Sequence, residues 1–507
     1  MDPLAQAGLQ NQFGAFDWLV VVLFIVSVTA IGIYARRWVV DMDDYVVAGR
    51  AVRVYLGVAT MVATEMGLVT VMYSAQKGFT SGFAAFHIAL AGALVALLVG
   101  RTGFIVVPLR RSGAMTIPEY FEQRYSRGVR MLGGAILAFS GILNMGMFLK
   151  ADSLFVTSLM GMTDPTTLKL AMTIMLGLVL LYTMLGGMIA VLVTDYLQFC
   201  VMALVLVGTS LFLMTRYSWG ELIQTVETFR GDAGINPFAA GGFGAAYVVW
   251  MFFLGLVSCA LWQTAALRAA SAEDEATVRK TYSWSSLGFL IRFMIPYFWG
   301  ICALAYVASH PALRAVLLPP GGEVPSELSL RAMPIALGSL IPAGALGVLS
   351  AGMLAAAMST YNSYLHCWSA VICHDVLVPL WGQGWSSRKR ILLTQVVMAA
   401  IGGFLLFWGL WYPLGEDLWD YMAVTGAIYF TGAFACLVGG LYWRRASTTG
   451  AYAAFLCGLS ALLGLAPLQR AVGVEWNSEH VGLATVALTA LVMVVVSLLC
   501  PDREVAA

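Results

Sequence analysis

Five places in this chain set polar or charged side chains among apolar ones. In GVATMVATEMGLVTVMYS, Gly57 to Ser74, Glu65 has apolar or small neighbours for more than a helical turn on either side. A buried carboxylate needs a charge partner or hydrogen bonds. A helix unwound here would bare the carbonyl oxygens of Ala63 and Met66 toward a cation, whereas the same small residues also suit a close helix-packing face. In AAAMSTYNSYLHC, Ala355 to Cys367, residues Ser359, Asn362 and Ser363 fall at i, i+3 and i+4 on one helical face, with Thr360 beside Ser359. Hydroxyl and carbonyl oxygens are hard ligands suited to an alkali cation, with no need of thiol or imidazole. The plainer alternative is hydroxyls that bond back to their own helix or bridge two helices. LVTDYLQF sets Asp195 in an apolar segment, although the preceding YTMLGG reads as a tight turn that would leave it near an interface. Arg292, in GFLIRFMIPYFWG, lies about ten residues from either end of its segment, too deep to snorkel. It calls for a carboxylate partner or an anionic ligand group. Lys150 and Asp152 are two apart, on different helix faces, and should not pair with each other.

The elements that position these residues follow from composition. The chain has 507 residues, 60% hydrophobic and 11% charged, against roughly 25% charged in soluble domains. It cannot cover a water-facing surface of the required size, so an all-α integral membrane protein is expected. A formal net charge of +1 argues against a nucleic-acid partner. The eight cysteines stand singly, without metal-ligand spacing. The first fifteen residues lack the basic stretch of a cleaved signal, so the first apolar segment is expected to remain as a span.

A membrane-crossing helix takes about 20 mainly apolar residues, and thirteen segments qualify, from Asp17–Ala35 to Gly482–Leu499. Leu168–Leu185 and Met188–Thr215 are two of them, divided at the YTMLGG turn. With the N-terminus outside, cations gather in the inner loops: Arg110, Arg111, Arg124, Arg127, Arg130, Arg268, Arg279, Lys280, Arg388, Lys389, Arg390. That asymmetry follows the positive-inside rule and requires an odd number of crossings, with the C-terminus cytoplasmic. A multi-pass protein of the cell membrane is expected. No segment is long and polar enough for a soluble catalytic or sensor domain.

The set VATEM, TIPEYFEQRY, YTMLGGMIAVLVTDYLQF, AAAMSTYNS and TGAFACLVGGLYWRR, in this order from about Asp17 to Tyr442, resembles the sodium:solute symporter family. The resemblance implies a five-plus-five inverted-repeat transporter whose first helix is broken in each repeat, coordinating ions through unwound carbonyls. Residues 1–53 would form an outer segment and leading helix, 54–215 the first repeat, and 216–244 an outer loop. The second repeat would span 245–442, followed by two trailing helices and a short inner tail in 443–507. The family's main sodium site maps onto the carbonyls of Ala63, Met66 and Ala356 and the hydroxyls of Ser359 and Thr360. A second sodium site, found in some members, would use Asp195 with Ser359, Asn362 and Ser363. Na+ is the implied coupling ion, and a small-molecule solute and membrane lipid are the implied partners of a monomer.

On the substrate side the resemblance points to Glu65, Asn144, Ser258, Gln263 and Arg292. At the positions where sugar-transporting members place sugar-binding groups, Gly255, Cys259 and Met422 are too small or apolar to grip several ring hydroxyls. An unpaired buried polar group costs about 1–3 kcal/mol, so an amino acid, betaine or small organic acid is favoured over a sugar. Three roles for Glu65 stay open: against an ammonium or the sodium, paired with Arg292, or a proton carrier in a proton-coupled symporter. An ion channel would need a filter ring that is not visible. A membrane enzyme would need a converged nucleophile–base or metal set, and the five histidines are dispersed. The chain is read as a transporter, not an enzyme.

Overall fold

The computed structural model describes residues 13–35, 37, 48–161, 164–319, 324–382, 384–412, 417–474 and 476–502. Among these the architecture is helical throughout, apart from one isolated bridge between Val52 and Ala272.

Two helices are interrupted at mid-length. The first runs Val54–Glu65 and Leu68–Ser81, parted by Met66 (φ −100, ψ 61) and Gly67 (φ −73, ψ 161). Met66 N still reaches Val62 O at 2.9 Å, but the extended Gly67 ends the ladder, and the last carbonyls of a helix lack intrahelical partners. Space demands glycine at this turn: a Cβ on Gly67 would lie 3.1 Å from Thr360 Cβ, with Thr360 Oγ1 nearer still. The second interrupted helix runs Gly244–Leu261 and Gln263–Ser271, parted at Trp262 (φ −67, ψ 127). These breaks begin the two halves expected from the sequence.

Nine helices among the described residues are long and apolar enough to cross a membrane, or ten if the pair Thr448–Gly464 and Ala466–Val472, bent by 87°, is one span. The expected thirteen is larger because the chain turns back inside one helical stretch and breaks inside others. Leu68–Thr102 reverses at Gly82, whose φ of +59 only glycine adopts readily. Ala75 and Phe79 pack on Gly300 while, after the turn, Gly100 packs on Ser283 of the same helix, Glu275–Ser309. Pro165–Arg216 is helical over 52 residues, yet its two arms face different neighbours. Met172 meets Gly409 and Met184 O accepts from Gln395, whereas Asp195 meets Ser363 and Val205 meets Gly352. Each arm thus runs antiparallel to its own partner helix, Ser387–Trp411 or Ala345–Val371. The turn expected at YTMLGG falls within this continuous helical run. Ala345–Val371 completes the bundle with a mixed small and polar face rather than a greasy one.

The leading helix, Ala15–Ala35, is tied to this face by Asp17. Its Oδ1 accepts Gly344 N at 2.9 Å and Gly347 N at 2.5 Å, an anion at a helix N-terminus.

Candidate functional site

Interruption of the first helix places two distant stretches side by side. Ser359 Oγ donates to Ala63 O at 3.0 Å and to Ala356 O at 3.0 Å. Thr360 Oγ1 donates to Thr64 O at 3.1 Å. Ala63, Ala356, Ser359 and Thr360 of the expected sodium set therefore converge, and Met66 adjoins them through the Gly67 turn. Thr64, whose carbonyl lies beside Ala63, was not anticipated. All these donors are neutral hard oxygens, the chemistry that suits an alkali cation and not a soft metal.

Beside this cluster lies a cavity of about 90 Å³ lined by Glu65, Asn144, Ser258, Arg292, Thr360 and aromatic side chains. Glu65 and Arg292 form its charged wall, with Arg292 Nη1 3.0 Å from Glu65 Oε2 and 3.2 Å from Glu65 O. Thr264 Oγ1 donates to Glu65 Oε1 at 2.9 Å. The guanidinium sits between the rings of Phe289 (4.6 Å) and Phe293 (4.4 Å), and Arg292 Nε is buried without a hydrogen-bond partner. Pro296, one turn further on, cannot donate to the Arg292 carbonyl. Asn144 spends its Nδ2 on Met422 O and Thr425 Oγ1, each at 2.9 Å, while Ser258 lines the cavity. Gln263 does not reach it. Its Oε1 accepts Ile117 N at 3.2 Å, because the turn at Trp262 points the tryptophan into the cavity and the next residue away.

Aromatic side chains flank both ends. Tyr73 and Phe293 meet Trp419 with ring centroids 4.8 and 5.4 Å apart. Beyond them Lys77 Nζ pairs with Asp417 Oδ2 at 2.8 Å and Asp420 Oδ2 at 3.0 Å. At the opposite end Trp262 Nε1 donates to Tyr364 OH at 2.8 Å, backed by Phe430 and Trp368. Further out, Thr116 Oγ1 and Arg130 Nε both reach Asp375 Oδ1 at 2.9 Å. Nearby, burial alone would raise the Glu119 carboxyl, but the neighbouring His374, the Met115 amide donating to it at 2.7 Å and the Arg130 charge hold it below the usual range.

The expected second cation position holds an arginine. Arg268 is buried, at 3% exposed, and was expected in a loop. Its Nη2 reaches Asp195 Oδ2 at 3.1 Å, Ser363 Oγ at 2.7 Å and also Thr64 Oγ1. Asp195 and Ser363 are together as expected, around a guanidinium. Asn362 turns instead to Thr194 Oγ1 at 3.2 Å, and Ser359 serves the first cluster. A sodium added there would face a like charge within hydrogen-bonding range. Lys150 pairs with Glu327 at 3.1 Å, not with Asp152.

An interrupted helix facing a hydroxyl pair, beside a cavity with aromatic side chains at both ends, defines a membrane transporter of the broken-helix class. The sequence profile of the sodium:solute symporter family matches residues 45–458, and the chain belongs to that family, whose members carry a small organic solute together with sodium. It is 22% identical to the sodium/proline symporter of Haemophilus influenzae over 95% of each chain. It is likewise 22% identical to the sodium/sialic acid symporter NanT of Aliivibrio fischeri, over 89% of this chain and 88% of that one. A solved outward-open, substrate-bound sodium-coupled sialic acid symporter superposes with a TM-score of 0.80 at 18% identity, covering 97% of this chain and all (100%) of that one. MhsT in complex with L-phenylalanine superposes with a TM-score of 0.56 at 13% identity, covering 88% and 98%. The fold is the one these structures share.

Proposed function

We propose that this symporter carries a small solute bearing a carboxylate, an amino acid, betaine or organic acid ahead of a sugar, with one sodium held between Ala63, Met66, Ala356, Ser359 and Thr360. The observation that carries the solute class is the Glu65–Arg292 pair on the cavity wall. An incoming carboxylate exchanges with Glu65 for the guanidinium, and an ammonium, if present, takes Glu65. Gly255 and Met422 also line the cavity, and neither offers a ring hydroxyl a partner. Similarity to relatives named for proline and sialic acid supports a charged solute.

Sodium bound at the break ties the first interrupted helix to the Ser359 helix, fixes the shape of the solute cavity and so raises solute affinity. Coupling of this kind is reciprocal, so solute tightens sodium by the same factor. The driving force is the sodium gradient plus about 2.3 kcal/mol per charge per 100 mV. The repeats 54–215 and 245–442 are the units proposed to rock, opening the Lys77 end and the Arg130 end in turn. The reading includes a monomer in the plasma or inner membrane, N-terminus outside and C-terminus cytoplasmic.

The test is uptake into proteoliposomes under an imposed sodium or proton gradient, with a panel of amino acids, betaines, organic acids and sugars. Sodium-driven accumulation of a carboxylated solute is expected. Uptake driven by protons alone would replace sodium with Glu65 as the carrier, and preferred uptake of a neutral sugar would overturn the solute class.

A further inference from the structure

We propose that the surface between Phe86–Thr102 and Glu275–Ser309 is a binding site for an anionic phospholipid, its headgroup on Arg101, Arg279 and Lys280. A pocket of about 620 Å³ lies between these helices at the arginine-rich end, and those three cations line it with Trp284 and Leu287. Trp284 and Leu287 also line a second groove of about 580 Å³, whose walls are otherwise apolar. That groove continues past Ile291 and Ile295 to Val62 and Met66 of the first interrupted helix. The two recesses adjoin at Trp284 and Leu287, the first charged and the second greasy.

Each recess matches one part of a phospholipid. The mouth carries three positive charges, and the two nearest acids are already engaged. Glu275 is held by Arg111 through two bonds of 2.9 and 2.8 Å, and Asp274 caps Thr277 N at 2.7 Å. Arg279 is braced by Nη1 donating to Arg101 O at 2.9 Å, which leaves the rest of its fork for a phosphate. Trp284, 66% exposed, stands where an aromatic ring marks the headgroup level. From Trp284 to Ile295 the helix rises ~16 Å, about half the ~30 Å hydrocarbon core. An acyl chain from one leaflet fits that length.

The charged mouth selects the occupant. A zwitterionic lipid gains little from three cations, whereas basic recesses between membrane helices suit acidic headgroups. The acyl chain lies against Val62 and Met66, next to the Ala63–Glu65 carbonyls but on another face from the solute cavity. Bound lipid thus fills space beside the helix that must move, whichever solute is carried.

Native mass spectrometry of the purified full chain, titrated with phosphatidylglycerol or phosphatidylcholine, tests the site. Phosphatidylglycerol should bind preferentially, and the triple variant R101Q/R279Q/K280Q should lose on the order of 100-fold in affinity. The control R388Q/K389Q/R390Q, at another basic loop, should keep wild-type binding. Equal binding of both lipids, retention in the triple variant, or an equal loss in the control would overturn the proposal. Displacement of the lipid by inorganic phosphate would show that free anion suffices and overturn the lipid as occupant. If the triple variant does not fold, the wild-type preference between the two lipids decides alone.

Discussion

Gly67 and Thr360 touch so closely that no side chain fits between them, although the first sits in the turn of one helix and the second in the middle of another. This contact sets how near the bared carbonyls come to the Ser359 and Thr360 hydroxyls. Gly67→Ala pushes a methyl into Thr360 and costs about 1–3 kcal/mol as an overpacked site. Sodium affinity should fall steeply while Gly67→Ala remains folded, read as sodium-dependent thermal stabilisation. An unchanged sodium response would separate this contact from ion binding.

Glu65 and Arg292 are an ion pair with side chains only 7% and 8% exposed. Glu65→Gln leaves a buried guanidinium unpaired and costs about 3–5 kcal/mol. The double variant E65Q/R292Q should recover much of that stability and none of the transport. A double-mutant cycle on thermal unfolding, alongside uptake, distinguishes this from independent roles, for which the two losses would add.

Arg268 neutralises Asp195 within the protein. Sodium activation of uptake should therefore be hyperbolic, with a Hill coefficient near one, in the wild type. Asp195→Asn should lower stability and leave that shape unaltered. A sigmoid wild-type curve that D195N makes hyperbolic would show a second ion at Asp195.

Lys77 joins the second half of the first interrupted helix, Leu68–Ser81, to Asp417 and Asp420. Lys77→Gln removes a cation shared by two carboxylates and should loosen that end alone. Amide hydrogen exchange should speed up in 68–81 and 418–425, by about tenfold or more, with little change around Thr116–Arg130. Uniform acceleration would point to general destabilisation.

The sequence shows Glu65 and the Ser359–Thr360 pair clearly, because a polar group in an apolar run has few reasons to be there. It shows the break as well, through a glycine set among bared small residues. Three details lie beyond it. Arg268 carries the signature of a loop cation until its partner, 73 positions away, is known to lie across the bundle. Gln263 stands one residue from a tryptophan that does face the cavity, and only the backbone angles at Trp262 send it to Ile117. Asn362 shares a helix face with Ser359 and Ser363, yet its longer amide reaches Thr194. Crossing number is blurred for a similar reason: a reversal at Gly82 sits inside a stretch whose helical pattern hardly lapses. Spacing within one helix can be read from the chain, whereas which neighbour each face meets is decided by tertiary packing.

The sodium concentration for half-maximal uptake, compared between wild type and Ser359→Ala, probes the central claim most directly. The hydroxyl that meets Ala63 O at 3.0 Å is lost in that variant, and a lost ligand to a charged group is worth about 1.5–3 kcal/mol. The account predicts a rise of at least tenfold, with solute affinity at saturating sodium nearly restored. An unchanged sodium requirement in Ser359→Ala would contradict it.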